Sequence, residues 1–122
     1  MLPTDVTSKA FRASNGELAW RREDIEQAIA AIRDAGTAIL GGEVWLITGL
    51  HSWNGLIPRR DAEAATIWQW ETGPRMSKES WQKYCERTAT ESIEAVQTMA
   101  VEQETPPSLI DHLRFNVTFI DR

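Results

Sequence analysis

Four apolar residues, Ile25, Ala28, Ile29 and Ile32, recur at spacings of three and four. That period sets them on one face of a helix. Glu23, Asp24 and Glu26 complement the positive start of such a helix, Arg33 complements its end, and Gly36 can take the left-handed turn that closes it. The pattern predicts a helix over about residues 22–35. A helix with a single apolar stripe needs a second layer to cover it.

The rest of the chain supplies that layer as strands. An extended stretch at Lys9–Ala13 leads to the turn signal Ser14-Asn15-Gly16 and a short strand, Glu17–Trp20. Thr37–Leu40 and Glu43–Ile47 are short apolar runs separated by Gly41-Gly42, which reads as a β-hairpin. Val44–Ile47 is apolar on both faces, as in a central strand covered on both sides. Ile67–Glu71 alternates, with Trp68 and Trp70 to one side and Ile67, Gln69 and Glu71 to the other. After Gly73-Pro74, Ser77 can cap a second helix that runs to about residue 100. Trp81, Cys85, Ala89, Ile93, Val96 and Ala100 form its apolar stripe, and Glu79/Lys83 and Arg87/Glu91 pair opposite charges one turn apart. Pro106-Pro107 stops any continuation, and Leu113–Ile120 is a last strand. The order, roughly ββαβββαβ, predicts an α+β fold: an antiparallel or mixed sheet of about five to six strands with two helices packed on one face. At 122 residues, positions 1–122 are read as one domain.

Charge narrows the partners. The net charge is −5, and it is unevenly spread. Residues 1–60 hold seven basic and seven acidic side chains, and residues 61–122 hold six and eleven, so the whole excess lies in the second half. Nucleic acid requires the opposite sign, and is excluded as a primary partner. No apolar run approaches the ~20 residues of a membrane helix, and Met1–Asp5 lacks the basic, then apolar, start of a signal peptide. A cytoplasmic protein without membrane contact is expected. Cys85 is the lone cysteine, so no internal disulfide or thiolate-rich metal site can form, and it reads as a small core residue. His51 and His112 fit no metal-binding spacing; neither a metal nor a cofactor is expected.

Catalytic patterns are sparse. The chain has no G-x-S-x-G elbow, and Ser52 beside His51 is adjacency in sequence rather than a base aimed at a nucleophile. Gly41-Gly42 lacks the Lys-Ser/Thr of a phosphate loop. Glu43 and Glu71 mark strand ends, and beside the Trp68/Trp70 strip they offer a small carbohydrate-binding or hydrolytic site. Otherwise they are solvated or paired with Arg59, Arg60 or Arg75. Of six tryptophans, Trp45 and Trp81 fall on core faces. The Trp68/Trp70 face either lies under the helices or forms an exposed aromatic strip. Trp53 sits between His51 and Asn54 in a connection spanning residues 49–64, a length often functional. It either tucks into the core or anchors a partner.

Glu86, Glu91, Glu94, Glu102 and Glu104 crowd the second helix and the segment after it. Acid at a helix end opposes the helix dipole, so helix stability does not select it. Two readings stand: a solvated face, or a surface steering toward a basic protein. Three segments carry a resemblance: Ala38-Ile39-Leu40-Gly41-Gly42-Glu43-Val44-Trp45, then Trp68-Gln69-Trp70-Glu71, and the helix opening Glu79-Ser80-Trp81-Gln82-Lys83-Tyr84 through Arg87-Thr88 to Ile93. Over about residues 37–100 this pattern resembles small immunity proteins of bacterial toxin–immunity systems. The resemblance implies a non-enzymatic, cofactor-free bacterial domain that neutralises a cognate toxin by covering it. His51, Trp53, Asn54 and Trp70 are then expected as partner anchors, and the five glutamates as the steering surface. A third class is a homo-oligomerisation domain that pairs through an exposed sheet edge.

Overall fold

A computed structural model describes residues 2–47, 57, 58 and 64–122. Strands β1 (Phe11–Arg12), β2 (Leu18–Trp20), β3 (Ala38–Ile47), β4 (Ile57–Pro58), β5 (Ala64–Glu71) and β6 (Leu113–Ile120) form one sheet in the order β1-β2-β6-β3-β5-β4. Every pairing is antiparallel. Helices α1 (Thr4–Thr7), α2 (Arg22–Asp34), α3 (Trp81–Thr98) and α4 (Val101–Glu104) accompany it, and a 3-10 helix, Pro107–His112, leads into β6. The fold is α+β, as the pattern predicts. None of the described helices is long and apolar enough to cross a membrane.

The stripe of α2 meets the sheet as expected. Ile25, Ala28, Ile29 and Ile32 share one buried cluster with Ala89 and Val96 of α3 and with Val44, Leu46, Trp70, Phe115 and Val117 of the sheet. Gly36 closes α2 at φ +76°, a conformation in which a Cβ would be strained. At the centre of the sheet, Val44 faces the helices while Trp45 packs on the opposite side with Phe11, Ala13, Ala19 and Ile47. Both are fully buried, so β3 is covered on both faces.

Gly41-Gly42 is not a hairpin turn. A single ten-residue strand runs straight through it, with a bulge at Leu40 in its pairing with β6. The glycines serve close packing instead. A Cβ on Gly42 would stand 2.1 Å from Cη2 of Trp70 and 2.3 Å from the Asn116 carbonyl oxygen. One on Gly41 would stand 2.2 Å from the Trp70 carbonyl oxygen. The Trp70 ring thus lies over β3 only because the strand has no side chain there.

The same ring settles the two-sided reading of the Trp pair. Trp68 pairs with Val44 and Trp70 with Gly42, so both face the helices. A second bulge, opposite Val44/Trp45, inserts Ile67 into β5 and turns it toward this core rather than away from it.

The second helix starts later than Ser77 implies. Ser80 is its cap, accepting a hydrogen bond from the Lys83 N–H at 3.1 Å. Arg87 explains the delay. Its guanidinium donates to the carbonyls of Gly73 and Pro74 and to Glu79, while Glu91 accepts the Gly73 N–H. That fan holds the connection along the helix flank, and Glu79 pairs with Arg87 rather than with Lys83. At the other end Arg22, at the start of α2, donates to the carbonyls of Val96 at 2.6 Å and Met99 at 3.0 Å. With those carbonyls satisfied from outside, α3 ends at Thr98, and Ala100 is exposed instead of lying on the stripe.

Candidate binding surfaces

The sheet face turned away from the helices carries a small polar cluster. Period-two alternation sets Glu43 beside Trp45 on β3, and the Trp45 indole N–H donates to Glu43 Oε1 at 2.8 Å. The Thr66 hydroxyl donates to the same oxygen at 3.4 Å, and Phe11 meets the Trp45 ring edge-on at 6.5 Å. Across β6, Asn116 is buried and donates to the Leu18 carbonyl at 2.8 Å. Glu71 pairs with Gly41 and Gln69 with Glu43, so Glu43 and Glu71 are diagonal neighbours on this face. Backbones so related stand about 7–8 Å apart. The tryptophans needed to complete a sugar platform are elsewhere: Trp68 and Trp70 lie on the helix side. The Glu43/Glu71 pair and the Trp pair therefore do not form one site. Glu43 acts as the acceptor for buried Trp45.

Trp70 was expected among the partner anchors; the structure corrects this. It is 8% exposed, and its indole N–H donates to the fully buried Ser92 Oγ at 3.1 Å. A ring wedged between β3 and α3 has no face left for a partner. The other expected anchors, His51, Trp53 and Asn54, lie outside the described residues.

The five glutamates divide. Glu91 and Glu102 are partly buried and committed to arginines within the chain. Glu102 takes both Nε and Nη2 of Arg22, whose guanidinium also lies 4.8 Å above the Phe115 ring. Hydrogen bonding from Arg22 holds the Glu102 carboxyl below its usual range. For Glu91 burial pushes upward, but the bonds from the Gly73 N–H and Arg87 outweigh it and the net direction is down. Glu79, which the sequence pairs with Lys83, is held at about 2, chiefly by its hydrogen bonds from Arg87. These carboxylates build the fold. Their roles as steering charges are corrected accordingly.

Glu86, Glu94 and Glu104 are exposed. The structure adds to them three acids from the other end of the sequence. Gln97 of α3 donates to Glu26 of α2 at 3.0 Å, which joins the outer faces of the two helices into one surface. That surface presents Glu26, Asp34, Glu86 and Glu94 as exposed side chains, and Glu23 at the start of α2 and Glu104 on α4 are exposed as well. Against them stand Lys83 of α3 and Lys9, exposed beside α2 and bonded to Gln27 at 3.2 Å, while Arg33 is paired with Asp34 at 3.0 Å. Sequence order concealed this, because Glu23, Glu26 and Asp34 fall within residues 1–60, the half that balances in charge.

Among the described residues no group of three or more His, Cys, Asp or Glu side chains is placed to hold a metal ion. Cys85 is buried, and burial pushes its thiol up from its ordinary value. In comparison with known proteins, no family model, no curated protein and no solved structure matches this chain.

Proposed function

We propose that this chain is a non-enzymatic protein-binding domain of the immunity kind, which acts in the bacterial cytosol by covering a basic toxin domain. One observation carries the reading: the outer face of the α2–α3 layer exposes acids from both halves of the sequence, while the carboxylates that the fold needs are already paired inward. An exposed excess of one sign raises encounter rates with a partner of the other sign. The test uses the product of the gene beside this one. Co-expression should relieve its toxicity, and the two purified proteins should form a complex whose association slows with salt. Failure to bind, or binding insensitive to salt, overturns the reading.

A second reading rests on the end of the β3–β6 pair. Leu40, Phe119 and Ile120 are exposed there, and β6 meets β2 only through Phe115 and Asn116 among the described pairings. An open edge flanked by apolar side chains suits pairing with a second copy. A mass that rises with concentration and falls on Phe119→Lys would favour this assembly role over the first.

A further inference from the structure

The outer helical surface is not uniformly convex. Where α2 ends and α3 begins, a concavity of about 310 Å³ opens between the helices. Buried Cys85 and exposed Gly36 line it, Trp81 forms one wall, and Arg33 with the exposed Asp34 and Glu86 supplies its charged lining.

The wall is fixed in place. The Trp81 indole N–H donates to the Gly36 carbonyl at 2.8 Å, and Tyr84 supports the ring edge-on at 5.6 Å. The ring already attracts a guanidinium, because Arg75 lies 5.4 Å from its centroid. The charge at the margin is not balanced. Arg33 Nε is taken by Asp34 at 3.0 Å, which makes that pair neutral. The Glu86 carboxylate receives the neutral amide of Gln82 at 3.3 Å. A rigid indole wall with a carboxylate at the mouth suits a planar cation, which gains from the ring quadrupole and the charge together.

We propose that this concavity receives an arginine side chain of the protein partner, with the guanidinium between Trp81 and Glu86. The inference rests on the immunity reading for the identity of the partner but not for the chemistry of the pocket. It supplies the anchor that Trp70 cannot.

The test is a chemical-shift titration of the whole chain with N-acetyl-argininamide at low salt, against the neutral citrulline analogue. The Trp81 indole N–H, assigned with Trp81→Phe, and the Gly36 and Cys85 amides should shift saturably with the arginine probe alone. Glu86→Gln, an exposed change that leaves the core intact, should weaken that binding roughly two- to fivefold, the size of one exposed charge contact. No saturation, equal shifts with citrulline, or unchanged affinity in Glu86→Gln overturns the pocket. A chain that takes the arginine probe here yet binds no toxin keeps the pocket and loses the immunity reading. A chain that binds its toxin equally well as Glu86→Gln and ignores the probe does the reverse.

Discussion

Trp70 lies across Gly42, its Cη2 carbon standing 2.1 Å from where a Cβ on that glycine would be. The contact fastens α3 to the sheet, since the same indole donates to Ser92 on the helix. Gly42→Ala should therefore displace either the ring or the Asn116 carbonyl on the neighbouring strand. Overpacking of this kind costs about 1–3 kcal/mol, and the upper part of that range is expected because one obstacle is backbone. Urea denaturation reads the loss. A variant as stable as the parent would mean that the Trp70 ring is placed otherwise.

Ile29 is fully buried in the cluster that joins α2 to the sheet. Truncation to Ala leaves a cavity that closely packed neighbours cannot fill, so Ile29→Ala should lose about 2–5 kcal/mol in the same measurement. A loss under about 1 kcal/mol would show that this face carries little of the core.

The Arg87 fan predicts a particular acid response. The Glu79 carboxyl is lowered from 4.5 to about 2 in the folded chain. A depressed carboxyl contributes stability that is fully present above its unfolded value and disappears as pH falls through its folded value. Stability should therefore drop between pH 4.5 and about 2, and Glu79→Gln should flatten that part of the curve. Thermal melts across this window in both proteins check it; parallel curves would remove Glu79 from the account.

The elements that were legible in the sequence are those fixed by neighbours along the chain. The α2 stripe, the Gly36 stop, the last strand Leu113–Ile120 and the covered centre of β3 all follow from local period and type. What was not legible depends on partners far away in sequence. Gly41-Gly42 reads as a turn until Trp70 is known to cross it, and Ile67 reads as opposite to the Trp pair until the bulge opposite Trp45 is seen. The end of α3 is set by Arg22, some seventy residues before the carbonyls it binds. The candidate surface was half legible for the same reason. Clustered glutamates were visible as a run, but Glu91 and Glu102 could be removed from it, and Glu23, Glu26 and Asp34 added, only once the helices were side by side.

Cys85 is 3% exposed, and its thiol is pushed up by burial, so little thiolate forms near neutral pH. Native protein should resist a thiol reagent and react stoichiometrically after denaturation. Rapid labelling of the folded chain would show that the floor of the Trp81 concavity is open to solvent.

The sharpest functional prediction separates the two kinds of glutamate. Glu86 and Glu94 are exposed, whereas Glu91 and Glu102 are clamped by Arg87 and Arg22. Exposed charges act on a partner over the ~8–10 Å that ordinary salt allows, and they affect encounter more than residence. Glu86→Gln with Glu94→Gln should slow association with the toxin and flatten its salt dependence, leaving the unfolding free energy within about 0.5 kcal/mol of the parent. Glu91→Gln with Glu102→Gln should lower the midpoint and slow association less, because those carboxylates are half-buried and turned to Arg87 and Arg22 rather than to a docking partner. Stopped-flow association at low and moderate salt, together with urea melts of each double variant, distinguishes the two. If both pairs change association alike, the steering field is not confined to the outer face of the helices; if neither does, the partner binds another surface.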